Sequence, residues 1–324
     1  MSSIPQITDR GNSVSDFATK FMKRFRISRL LFKCNAGKER GIPVMDIFRY
    51  LFCMMFSDRS IYMQMKTGTF EGAFSKNTVY RFLNDARINW QRFTMLLSAE
   101  IICRFMKPLT DEKRKDVFIV DDSLFDRSRS KRVEMIARVF DHCSMKYRSG
   151  FRMLTLGWPD GNSFIPVSYS LLSAAEDKNL LCGGKQYDGR SLAGRRRRQS
   201  RHKATDVMAE LIHSAQCAGI TAKYVLFDSW FSPPKTILEL KKQEHPDTIA
   251  MVKKARQNTG TRAKGTTSRI STAAIGSAGD VPAIFCPYPF SGGLNGGIKT
   301  GWKRFCSKNK LFYSTSGGIR VYSQ

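Results

Sequence analysis

Acidic residues are scarce. Only 27 Asp and Glu stand against 54 Lys and Arg, a formal charge of +27. An excess of that size repels itself in a compact state, and its usual resolution is a polyanionic partner whose counterions are released on binding. Nucleic acid fits best; an anionic lipid surface is the alternative. Long apolar runs are missing too. The greasiest stretch, Met45 to Phe56, is too short to span a bilayer and carries Asp46 and Arg49, so it reads as a core helix. The polar N-terminus, MSSIPQITDRGNS, has no secretory apolar segment. The reading is therefore cytoplasmic, close to the nucleoid, with no membrane partner. The eight cysteines form no Cys-x-x-Cys pair and have no His at ligand spacing, which argues against zinc and predicts reduced, buried thiols. The four histidines pair with no Ser or Cys as a nucleophilic triad. No Gly-x-x-x-x-Gly-Lys loop points to ATP.

What is present suffices for a folded protein. Of 324 residues, 42% are hydrophobic, ample for a buried core. From Val14 to Leu109 apolar residues recur at three and four, as in Phe17, Phe21 and Phe25 or Ile47, Tyr50, Leu51 and Met54, which predicts helices throughout. Ser75 and Asn77 precede a short helix bearing Tyr80, Arg81 and Asn84, a pattern that fits a helix-turn-helix reader or an ordinary helical hairpin. Pro108 and the charged residues 110–116 read as a linker. A second domain then opens on the strand Val117-Phe-Ile-Val, followed by strands Gly150 to Trp158 and Ser163 to Leu172 around a Pro159-Asp160-Gly161-Asn162 turn. A polar loop from Glu176 to Lys203 precedes a helix from Ala204 to Ala218, with Gly219 at its C-cap. The strand Lys223 to Phe227, a helix opened by Pro233 and Pro234, and the strand Thr248 to Val252 complete an α/β fold with a mixed sheet. Residues 255–324 hold one acidic side chain, Asp280, and 26 Gly, Ser or Thr, a composition that predicts an irregular, poorly ordered basic tail. The expected domains are 1–110, 115–254 and the tail 255–324.

Two aspartates follow apolar strands, Asp122 after Val117-Phe-Ile-Val and Asp228 after Tyr224-Val-Leu-Phe. Carboxyl ends of neighbouring strands converge on one crevice in α/β sheets, and two carboxylates there repel unless a cation intervenes. Oxygen ligands of this kind suit Mg²⁺ or Mn²⁺; strand-end caps are the alternative.

The segments Phe118-Ile-Val-Asp-Asp-Ser123, Phe151-Arg-Met-Leu-Thr-Leu-Gly-Trp-Pro-Asp-Gly-Asn162 and Tyr224-Val-Leu-Phe-Asp-Ser-Trp-Phe231 resemble the catalytic domain of bacterial insertion-sequence DDE transposases. The likeness is to the group whose last acid lies in a Tyr-Arg-Glu-Lys signature beyond a β-strand insertion, and it spans roughly residues 14–254. It implies an RNase H-like fold, a helical DNA-binding part, and two divalent metals held by Asp, Asp and Glu. One metal activates a water or 3′-hydroxyl and the other stabilises the leaving oxygen. By motif position Asp122 matches the first aspartate and Asp228 the second. Asp121 is the alternative first ligand, on the other side of an alternating strand.

The third acid has no counterpart: after Asp228 the only glutamates are Glu239 and Glu244, too near in sequence. The loss of pattern after Lys254 suggests a frame shift near codon 255, or a truncation. Arg195, Arg196, Arg197 and Arg198, with Arg201 and Lys203, read as a mobile loop contacting phosphates. Trp230 and Phe231 could stack on an unpaired base or pack the sheet edge. The expected partners are duplex DNA, as element terminal repeats and target, and a second copy for synapsis. A non-catalytic DNA-binding remnant and a basic RNA-associated protein are the competing functions.

Overall fold

The computed structural model describes residues 8–56, 60–68, 74–110, 116–130, 132–160, 163–244, 246–250, 312–315 and 318–321. Most of the expected linker, the tip of the Pro-Asp-Gly turn and most of the basic tail lie outside the described residues. The chain divides into two compact units, Met1–Ile101 with Tyr187–Arg195, and Ile102–Gln186 with Arg196–Gln324.

The first unit is helical: α1 (Thr8–Arg24), α2 (Ile27–Lys33), α3 (Val44–Met54), α4 (Ile61–Lys66), α5 (Lys76–Leu83) and α6 (Trp90–Ile101). Pro43 precedes α3, where its missing N–H costs nothing, and the three-and-four spacing turns Ile47 fully inward. Ile27, Leu31, Ile47, Val79, Phe82 and Phe93 form a shared core, with Phe21, Phe48, Phe52 and Trp90 packed against it. Nine residues separate α4 from α5, more than the three or four of a helix-turn-helix. Residues 69–73 of that connection lie outside the described residues, and Ser75 stands at the N-cap of α5 as expected.

In the second unit β1 (Val117–Asp126), β2 (Ala137–Asp141), β3 (Lys146–Pro159), β4 (Phe164–Leu172), β5 (Tyr224–Phe227) and β6 (Asp247–Ala250) build one sheet, with α8 (Ala204–Cys217) and α9 (Pro234–Glu244) between strands; α7 (Leu192–Gln199) belongs to the first unit up to Arg195 and to the second from Arg196. The order runs β2-β3-β1-β5-β6, and β4 pairs with β3 beside β2. β3 is antiparallel to β1, β2 and β4, whereas β1, β5 and β6 are parallel. This is the RNase H-like mixed sheet that the resemblance implies. β2 was not legible in advance; it forms a short hairpin arm with the first residues of β3. One sheet face buries Phe118, Val120, Leu154, Leu156, Val225 and Phe227, and α8 packs on β3 and β4 through Met208, Leu211 and Ile212. Gly219 ends α8 with φ +86, the left-handed C-cap that glycine tolerates. Within the expected tail, β7 (Phe312–Thr315) and β8 (Gly318–Val321) pair as a hairpin.

Two further expectations change. The Arg195–Arg198 run is helical, in α7, because the Ser191 hydroxyl accepts from Gly194 N (3.0 Å) at its start and Ala193 is buried. Of the six described cysteines, Cys103, Cys143 and Cys217 are exposed; only Cys34 is fully buried, and desolvation holds its thiol above the usual range.

Candidate active site

The parallel ladder between β1 and β5 closes with Val120 opposite Phe227. One residue past this last rung stand Asp121, still within β1, and Asp228, directly after the end of β5. In-register neighbours on parallel strands point to the same face, so these two carboxylates share a face and a level. Asp122 is turned to the other face. Its Oδ2 accepts from Arg152 Nε (2.6 Å) and lies 2.5 Å from Arg152 Nη2. This differs from the match of Asp122 with Asp228 made on motif position. The physical reason is the period of two: β1 does not stop at the aspartates but continues to Asp126 against β3, so Asp122 keeps the alternation of a strand and meets Arg152, one rung over on the same face.

Electrostatics single out Asp121. Asp121 is half-buried while Asp228 is exposed. Burial pushes the Asp121 carboxyl up to about 6; the Asp122 charge adds to the rise, a hydrogen bond from the Asp122 backbone opposes it, and the Asp228 charge adds a little more. A carboxyl held this far above its ordinary range by desolvation and like charges is one that a cation would relieve. Two oxygen donors of this kind fit a hard divalent ion. Among the described residues no group of three or more His, Cys, Asp or Glu could hold a metal.

Around the pair, Trp230 lies in the turn after β5. It is 57% exposed, with its ring 5.3 Å from that of His142 at the tip of the β2–β3 hairpin. Phe231, its neighbour, is buried beside Phe227 (6.3 Å) and belongs to the core. His142, one of the four histidines for which the sequence offered no catalytic partner, enters this neighbourhood through the turn of the β2–β3 hairpin. The arginine run divides. Arg195 and Arg198 are exposed. Arg197 binds Glu134 through Nε (3.2 Å) and Nη2, and Arg196 donates to Gln199 (3.0 Å). Arg201 donates to Ala175 O and Asp177 (both 2.6 Å), while Lys203 is exposed ahead of α8. On α5, Tyr80, Arg81 and Asn84 are exposed along one side and Thr78, Val79 and Phe82 face the core.

A mixed sheet of this order, with two carboxylates level at the end of its central parallel pair, defines the frame of an RNase H-like nuclease. The chain belongs to the DDE superfamily endonucleases, whose family model matches residues 50–259. That membership implies a DNA substrate and divalent-metal chemistry. No curated protein matches the chain. Among the described residues no helix is long and apolar enough to cross a membrane.

Proposed function

We propose that this protein is the transposase of an insertion sequence, which binds the element's terminal repeats and breaks DNA strands with Asp121 and Asp228 as its first two metal ligands. The observation that carries this reading is the level pair of carboxylates one step beyond Val120 and Phe227. A divalent ion such as Mg²⁺ or Mn²⁺ held there supplies Lewis-acid stabilisation of charge gathering on a phosphate. Asp121 must give up its proton to become a ligand, and its poorly solvated carboxylate gains more from a cation than a hydrated one does. Asp122, ion-paired with Arg152, stays out of the donor set and fixes the strand that aims Asp121. The exposed side chains of Tyr80, Arg81 and Asn84 are the duplex-reading surface, and the exposed Arg195, Arg198 and Lys203 neutralise backbone phosphates without sequence preference. Synapsis of two ends requires a dimer, and the site of action is the bacterial nucleoid.

The absence of a third acid beside this pair among the described residues favours a second reading, a chain that occupies element ends while cleaving weakly or not at all. Supercoiled plasmid carrying terminal repeats, incubated with protein and Mn²⁺, separates the two. Nicking that disappears in Asp121→Asn and Asp228→Asn but persists in Asp122→Asn supports the first. Salt-sensitive binding with no nicking supports the second. Nicking lost in Asp122→Asn and kept in Asp121→Asn would overturn the ligand assignment.

A further inference from the structure

We infer that the β2–β3 hairpin and Trp230 together form a stacking platform for unpaired DNA bases beside the carboxylate pair. The choice of DNA as the polymer rests on the reading above; the platform itself rests on geometry. Four rings follow one another without a gap: Tyr147 to Phe140 at 5.2 Å, Phe140 to His142 at 5.0 Å, and His142 to Trp230 at 5.3 Å. Trp230 is two residues beyond Asp228, so the row ends at the proposed active site.

The strand pattern explains the row. Phe140 and Tyr147 are directly paired across the hairpin, and Arg138 is diagonal to Tyr147 on the same side. The Arg138 guanidinium lies 5.1 Å from the Tyr147 ring centre. Val139 takes the inward face and is buried. A clasp whose only task was to hold the hairpin down would hide its rings. Here Tyr147 is 63% exposed and Trp230 57% exposed, and His142 and Arg138 are exposed as well. The one carboxylate of the arm, Asp141, is engaged in the turn with Cys143 N (2.9 Å) and the Ser144 hydroxyl (2.7 Å). Lys146 and Arg148, also exposed, alternate onto the opposite face, where Arg148 lies 3.9 Å from Asp126, so Arg138 is the cation of the ring face. A row of aromatic rings flanked by a guanidinium on an open surface matches the demands of a single strand, whose bases offer π-faces and whose backbone needs neutralising. A duplex offers no free base face to such a row.

The test uses the full chain in EDTA, with fluorescence anisotropy of a labelled oligo(dT) 15-mer and of a blunt duplex of equal length. Tyr147→Leu and Trp230→Leu should each weaken oligo(dT) binding on the order of tenfold, the loss of one base–ring stack. Duplex affinity should change less than about twofold by the same reasoning. Trp230→Tyr, which restores a ring, should recover most of the single-strand affinity and guards against a folding artefact. The proposal is overturned by unchanged oligo(dT) affinity in both leucine variants, by equal losses for single strand and duplex, or by tighter binding to oligo(U). Because no metal is present, this result is separable from nicking. Stacking without metal-dependent cleavage refutes the catalytic reading alone, and cleavage without stacking refutes the platform alone.

Discussion

Replacing Asp121 by Asn should stabilise the metal-free protein at neutral pH. The wild-type carboxyl is raised from an ordinary 3.8 to about 6, so the folded state holds its proton more tightly than the unfolded chain. A raised acid of this kind carries no penalty below about pH 3.8. The penalty grows as pH climbs toward 6, while the unfolded chain sheds a proton the folded one keeps, and is complete above 6. At roughly 1.4 kcal/mol for each pH unit between the two values, the full penalty is about 3 kcal/mol. Asn at 121 is close in size, cannot ionise, and escapes it. Because two compact units need not unfold together, urea denaturation in EDTA is best followed through amide exchange in β1 and β5. Wild type and Asp121→Asn should have similar stability near pH 4 and diverge steadily to about 3 kcal/mol by pH 7, a midpoint shift of a molar or more in urea. Asp228→Asn should recover only a small part, since burial and Asp122 outrank Asp228 among the causes. Saturating Mn²⁺, at about a hundred times its Kd, should add about 2.7 kcal/mol to wild type and little to Asp121→Asn. Parallel pH curves for the two proteins would refute the reasoning, for they would mean that Asp121 ionises as easily folded as unfolded.

Other perturbations have equally definite outcomes. A Cβ at Gly157 would fall 2.0 Å from the Phe164 ring, so Gly157→Ala should lower stability by about 1–3 kcal/mol in thermal melts, with Phe164→Leu returning part of it. Phe118 is fully buried in the central strand; its replacement by Ala should cost about 3–5 kcal/mol and deplete soluble protein. Duplex binding by Arg81→Ala should weaken evenly across sequences if the residue meets phosphate, with the salt slope reduced by about one. Glu134→Gln should loosen α7, seen as faster amide exchange from Arg196 to Ser200, with a stability loss of about 1 kcal/mol or less because the pair is partly exposed.

The helical first unit, the strands flanking Asp121 and Asp228, and α8 with its terminal glycine were all readable from periodicity and caps, since each depends on local spacing. Three features were not. β2 is five residues long, Ala137–Asp141, too short to separate from a loop, and its identity comes from pairing with the overlong β3. The Arg195–Arg198 helix was hidden because charge dominated the reading, whereas its start depends on Ser191 and on an Asp188 carbonyl that leaves Gly194 no room for a side chain. The choice between Asp121 and Asp122 needed the register to β5, which no property of the dipeptide encodes. His142 illustrates the same limit: nothing in its neighbours announces a ring contact 88 residues away with Trp230.

Adjacent acids in one strand carry a hazard of their own. If β1 slid by a single residue along β5, Asp122 would take over the shared face and Asp121 would turn into the apolar layer that Leu154 and Phe227 hold on β3 and β5. Two such arrangements would present one carboxylate each to Asp228, and composition could not tell them apart. The Arg152 guanidinium breaks that degeneracy, because only one alignment seats Asp122 against it. A partly exposed ion pair of small energetic worth thus acts as a frame marker: it matters less for how strongly the sheet holds than for which of two neighbouring aspartates it sets on the face of Asp228.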